Sequence, residues 1–260
     1  MCCVTPDAIR NEPLALDDTY PKQLLALLRR IEALKHLPRT GWLDREVAEP
    51  ESVAAHSWRL AILAWLVAEA EGLNAAQAMR LALVHDIPEV ITGDNTPYSD
   101  QAPTAEARRA LATEASLDFV QWRNPTWRAQ KASRERAAMT TILEEAPPAV
   151  ARALQGVWEE YESGSSPEAQ LVKQLDKLEA YLQGWEYARD GRLPQPETLN
   201  SFRADTEHQV QDPALRQILE ALEDWIATGM ADPRHTAPIG GCTSETTTIP
   251  PEGPAPLAER

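Results

Sequence analysis

An all-α fold is predicted for this 260-residue chain. Two observations carry the prediction. Alanine and leucine dominate, phenylalanine occurs only twice, and no run alternates Val, Ile, Thr or Tyr with polar residues, so β-structure has little to build with. Helix-capping residues and prolines also recur between apolar-periodic segments along most of the chain. The length suits one large domain with appendages, since domains run to about 50–250 residues.

Thr19 and Pro21 open a periodic segment to about Leu37, because proline is tolerated in the first helical turn. Ser52 can cap a helix running to about Glu71, its hydroxyl accepting from a free N–H of the first turn. Asn74 with Gln77 reads as a capping box for a helix from Ala75 into HDIPEVITGD. That helix is apolar nearly all round, which predicts a central position. Thr104 opens a segment towards Trp122, and Ala129 to Glu145 forms another that Pro147 and Pro148 end. Ala149 to Tyr161 follows, then a turn at SGSS. Ser166, Pro167 and Glu168 start a helix to about Asp190, and Asp212 with Pro213 starts the last, to about Gly229. Residues 196–210 carry a weaker helical pattern.

The organisation expected is a flexible segment over 1–17, one helical domain over 18–230, and a Pro/Thr-rich disordered tail over 231–260. Net charge is −15, with 40 acidic residues against 25 basic, which works against polymeric nucleic acid and anionic membranes as partners. The three cysteines, Cys2, Cys3 and Cys242, supply neither a disulfide framework nor a thiolate zinc site. The opening MCCVTPDAIRNEPLALDD lacks a basic stretch followed by an apolar one, and no apolar run approaches the roughly 18 residues of a membrane span, so a cytoplasmic protein is expected.

Polar residues on apolar faces point to chemistry. His56 shares a stripe with Leu60, Leu63 and Val67, and His85 lies behind Ala78, Leu81 and Ala82, so both imidazoles face inward. Asp86 is about 100° further round, and Glu89 sits one turn beyond His85. A single inward histidine is usually a hydrogen-bonded core residue. A buried carboxylate, however, needs a charge partner or a metal, and no Lys or Arg follows Arg80 on this helix. Spacing alone leaves a core cluster and a metal site as equal alternatives. Pro88 removes a backbone donor and crowds the Val84 carbonyl, which predicts a bend or an early helix end.

The succession LKHLPRTGWLDREVAEPESVAAHSWRLAILA, then RLALVHDIPEVITGD, then VKQLDKLEAYLQ resembles the HD-domain 5′-deoxynucleotidase family of metal-dependent phosphohydrolases. The resemblance runs from about Leu24 to Glu186 and implies an HD-domain helical bundle over 18–230. It also implies one divalent ion held by His56, His85, Asp86 and Asp176. Two imidazoles and two carboxylates suit Mn²⁺ or Co²⁺, with Fe²⁺, Zn²⁺ and Mg²⁺ as alternatives. Glu89 takes the general acid/base role and Asp94 positions substrate, with Asn95, Thr96 and Pro97 continuing the substrate segment. Arg29 to Arg45 carries five Lys or Arg against two acids, and from it Arg39 and Arg45 are expected at the phosphate. Trp42 has two readings, a sugar or base contact and plain core.

The implied reaction is phosphate release from (deoxy)nucleoside 5′-monophosphates by a homodimeric enzyme. The interval after Asp94 is longer than the family pattern requires, which predicts an added helix or lid near 101–128. No histidine lies between Asp86 and Asp176, which argues against a binuclear phosphodiesterase. An alarmone-type hydrolase and a non-catalytic nucleotide-binding module are the alternatives.

Overall fold

The computed structural model describes residues 18–96, 104, 106–108, 110 and 125–228. The expected flexible segment, the tail, most of the expected insertion and Pro97 lie outside them.

Among the described residues the chain is helical, with one isolated backbone bridge between Pro38 and Ser52. Helix α1 spans Tyr20–Ile31 and tightens into a 3₁₀ turn at Glu32–Lys35, short of the expected end at Leu37. Pro38 stands just beyond and disfavours helical backbone at Leu37. Val53 N then donates to Leu37 O at 2.9 Å and Arg39 N to Glu51 O at 3.0 Å, which fastens residues 37–39 beside 51–53. A single turn, α2 (Thr40–Leu43), follows Arg39.

Helix α3 (Val53–Glu71) begins where Ser52 Oγ accepts from Ala55 N at 3.2 Å and ends at Gly72, whose φ of 70° is the left-handed close that glycine adopts freely. Helix α4 (Ala75–Val84) is capped by Asn74, which accepts from Gln77 N at 3.1 Å. The reciprocal half of the expected capping box is absent. Glu168 takes the Asn74 N–H at 2.9 Å, and the Gln77 amide donates to Glu160, so the cap ties α4 to later helices.

Pro88 marks the break the sequence predicts. Helix α4 stops at Val84, whose carbonyl accepts from Ile87 N at 3.1 Å, and a separate turn, α5 (Glu89–Thr92), starts after Pro88. Helix α6 (Pro125–Leu143) starts earlier than Ala129, with a proline at its opening residue. Then come α7 (Pro148–Ser163), α8 (Pro167–Arg189, capped by Ser166), a 3₁₀ turn at Pro196–Leu199, α9 (Asn200–Gln209) and α10 (Pro213–Thr228).

Helices α3, α4 and α8 form the centre. Leu60, Ala61, Ala64, Leu81, Ala82, Leu175 and Leu178 pack there, and the alanines let α3 and α4 approach closely. Full burial of each leucine contributes about 1.5–3 kcal/mol. A second cluster joins Val84 and Ile87 to Met139, Ile142 and Trp158, which holds the broken end of α4 against α6 and α7. None of the described helices is long and apolar enough to cross a membrane.

Candidate metal centre

His56 on α3 and His85 at the end of α4 come from the inward faces of the two most closely packed helices, and their rings meet with centroids 5.4 Å apart. Their tautomers follow from their partners. His85 Nδ1 lies 2.7 Å from Ala82 O, and a carbonyl only accepts, so Nδ1 carries the proton. His56 Nδ1 lies 2.5 Å from Glu179 Oε2, which likewise only accepts when ionised. Each ring in this tautomer keeps its lone pair on Nε2. Both Nε2 atoms are buried and make no hydrogen bond among the described residues.

Carboxylates close on the same point. Donor atoms of His56, His85 and Asp86 lie within 4.8 Å of one another, and Asp176 Oδ1 is 3.1 Å from His56 Nε2. Asp86 Oδ2 is 2.9 Å from His85 Nε2 and accepts from Arg39 Nη1 at 3.0 Å. Asp176 Oδ2 accepts from Lys177 Nζ at 2.6 Å. Burial works to raise the pKa of Asp86, but His85 and Arg39 outweigh it and hold the carboxyl far below its ordinary value. Asp176 is held down in the same sense by Lys177 and His56. Burial and Arg39 pull the His56 pKa down, yet Glu179 and Asp176 push it up to about 10. The carboxylates that give this ring so high a proton affinity would equally compensate a cation. Two unbonded imidazole nitrogens beside two ionised carboxylates fit a divalent metal better than they fit a closed polar core.

Glu89, at the start of α5, is 2% exposed, and its Oε2 makes no hydrogen bond among the described residues. Burial, then the charges of Asp86 and Asp94, raise its pKa well above the usual carboxylate range. Asp94 is fixed from the other side, since its Oδ2 accepts from Thr40 N at 2.6 Å and its carbonyl from Thr40 Oγ1 at 2.6 Å. Arg39, immediately before α2, thus sits between Asp86 and Asp94, with Nε 3.9 Å from Asp94 Oδ2.

Other expected contacts are placed elsewhere. The Arg45 guanidinium donates to Gly41 O at 2.8 Å and Ser201 Oγ at 2.7 Å and lies over Phe202. These contacts pin α2 to α9. Trp42 is 2% exposed, stacked on Phe202 at 4.6 Å and edge-on to Tyr187 at 5.3 Å. Of its two readings, core is the one its surroundings fit. The Asn95 amide donates to Thr92 O and Gly93 O and closes its own loop, while Thr96 Oγ1 reaches Asp44 Oδ2 at 3.5 Å. Arg108, in the only described part of the expected insertion apart from residues 125–128, donates to the same Asp44 at 2.7 Å.

Two acids escaped the sequence reading. Glu179 is fully buried, paired with His56 and with Arg59 Nε at 2.7 Å. It lies three residues after Asp176, one helical turn along the same face, and that spacing was its signal. Glu51 gathers with His56 and Glu179 on the Nδ1 side and accepts from Trp42 Nε1 at 3.0 Å.

An all-α bundle whose three central helices bring His56, His85 and Asp86 together, with Asp176 beside His56, defines a metal-site helical domain of the HD class, and the HD domain family model matches residues 31–218. The chain is 37% identical over 202 residues to 5′-deoxynucleotidase HDDC2 of Bos taurus, covering 78% of this chain and 85% of that protein. Over 166 residues it is 32% identical to 5′-deoxynucleotidase hdd1 of Schizosaccharomyces pombe, covering 64% and 73% respectively. Among solved structures, a conserved hypothetical protein from Pyrococcus furiosus superposes with a TM-score of 0.53 at 28% identity, over 77% of this chain and 99% of that one. A protein from Magnetospirillum magnetotacticum, described as a predicted metal-dependent phosphohydrolase, shares the fold with a TM-score of 0.56 at 23% identity, over 81% and 97%. The chain belongs to the HD-domain 5′-deoxynucleotidase family.

Proposed function

We propose that this protein hydrolyses the phosphomonoester of deoxynucleoside 5′-monophosphates, using one divalent ion, Mn²⁺ or Co²⁺, held by His56, His85, Asp86 and Asp176. The observation that carries the reading is the pair of buried Nε2 atoms, unbonded among the described residues and faced by Asp86 and Asp176. A divalent ion held there would polarise a phosphoryl oxygen and lower the pKa of a water molecule.

The chain's own groups do the rest. Arg39, anchored by Asp86 and Asp94, turns the remaining N–H groups of its planar fork towards a phosphoryl oxygen. Asp94, locked by Thr40, keeps that arginine in place and faces the nucleoside side. Glu89 holds a proton where an exposed glutamate would have lost it, and delivers it to the departing 5′-oxygen as water attacks phosphorus. The products are a neutral nucleoside alcohol and inorganic phosphate.

We assign the enzyme to the cytoplasm, in keeping with its charge and cysteine usage. We also assign it a homodimeric state. Trp58, Ile62, Trp65 and Leu66 form one exposed stripe along α3, with Trp58 64% and Leu66 58% exposed, and a stripe of this kind is best covered by a second copy. Light scattering at working concentration tests the dimer.

The activity is tested by phosphate release from a panel of deoxy- and ribonucleoside 5′-monophosphates with Mn²⁺ or Co²⁺. Turnover of the deoxynucleotides that disappears in His85→Ala is expected. Absence of turnover with every substrate and metal would overturn the proposal.

A further inference from the structure

The inward face of α6 runs through Ile142, Met139 and Ala138, all nearly inaccessible, to Glu135, 8% exposed, and then Lys131. Steps of three and four residues keep these side chains on one face. Met139 and Ile142 pack on Val84 and Ile87, the residues either side of His85 and Asp86. The same helix contacts α5, which carries Glu89. Lys131 therefore lies on the side of α6 that faces the metal centre, with Nζ 3.0 Å from Glu135 Oε1 and its side chain 31% exposed.

Its surroundings explain why a cation is placed there. The phosphate of a nucleotide carries up to two negative charges, and beside Asp86 and Asp94 it meets two carboxylates that already engage Arg39. Glu135, Glu89 and Asp86 together outweigh burial and keep the Lys131 ammonium charged. Arg39 and Lys131 both feel the charges of Asp86 and Glu89, from different elements. An ammonium has three N–H donors, so it can hold Glu135 and a phosphoryl oxygen together.

We propose that Lys131 is a second cationic contact for the substrate phosphate, approaching from α6 while Arg39 approaches from α2, with Glu135 as the residue that aims it. The inference rests on the nucleotidase reading and extends it to a residue outside the HD pattern.

The test uses the full chain loaded with Mn²⁺ and titrated with inorganic phosphate by calorimetry, comparing wild type, Lys131→Gln and Lys131→Arg. Loss of a charge-assisted contact predicts phosphate binding weakened about ten-fold or more in Lys131→Gln, while Lys131→Arg stays close to wild type. The KM for a deoxynucleoside monophosphate should rise in Lys131→Gln more than kcat falls. Unchanged phosphate affinity in Lys131→Gln overturns the proposal. So does an equal loss in both variants together with an equal fall in melting temperature, which would mark a packing role. A wild type that binds phosphate but turns over no nucleotide would sink the nucleotidase reading instead, and the calorimetric comparison would still decide on Lys131.

Discussion

Replacing Glu179 by glutamine removes one charge from the buried core and leaves its volume almost unchanged. The carboxylate now accepts from His56 Nδ1 and from Arg59 Nε, at 2.5 and 2.7 Å, and is completely buried. A glutamine retains an acceptor for one of these donors. If its oxygen stays with Arg59, its NH₂ group faces His56 Nδ1 and favours the tautomer with the proton on Nε2, the atom that must be bare to bind an ion. Partners of this kind alter metal affinity by about 10–100-fold when mutated, which is about 1.4–2.7 kcal/mol. The fold should lose less than the roughly 3–5 kcal/mol of a broken buried ion pair, because Arg59 is partly exposed and also donates to Glu186 at 2.6 Å. Calorimetric titration of metal-free wild type and Glu179→Gln with Mn²⁺ measures the effect directly, with melting curves to show that both are folded. Equal Mn²⁺ affinity in a folded Glu179→Gln protein would refute the claim that Glu179 sets the His56 tautomer.

Two further outcomes follow from neighbouring residues. The pKa of Glu89 is raised by folding above its ordinary 4.5, so between that value and the raised one the native state binds more protons than the unfolded state, and stability falls as pH rises. Glu89→Gln lacks this dependence: metal-free variant and wild type should melt at similar temperatures near pH 4, with the variant pulling ahead as pH climbs towards 7, while its activity falls about 10²–10⁴-fold. A temperature difference that does not change with pH would contradict the assignment. At Gly184 an added methyl would lie 2.4 Å from Leu199 Cδ2 and 3.0 Å from Trp42 Cη2. Gly184→Ala should therefore cost about 1–3 kcal/mol by overpacking, read as a lower melting temperature with unchanged Mn²⁺ affinity.

What could be read from sequence was what local chemistry controls. Ser52, Asn74 and Ser166 each cap the helix they precede, because a cap depends on a hydroxyl or amide three residues from its donor. The inward aim of His56 and His85 followed from the apolar stripes around them, and the break after Val84 followed from the missing N–H of Pro88. Pairings between distant segments were harder to see. Asp176 came only from the family pattern. It is the crossing of α3 and α8 that sets it 3.1 Å from His56. Arg45 looked like a phosphate contact because it stands in a basic stretch, and Trp42 had a sugar or base contact as one of its two readings, yet Ser201 and Phe202, more than 150 residues away, draw them into packing. Glu135 and Lys131 were not singled out in the sequence, because their place depends on the packing of α6 on α4 and α5.

The claim on which the account rests is that one buried point, bounded by two imidazoles and two carboxylates, holds a divalent ion. Anomalous diffraction from a crystal grown with Mn²⁺ tests it most directly. A single strong peak is expected, bounded by Nε2 of His56 and His85 and by the carboxylates of Asp86 and Asp176, at bond lengths of about 2.0–2.3 Å. A peak held instead by Glu51 and Glu179 on the Nδ1 side of His56, or no peak at this centre, would contradict it.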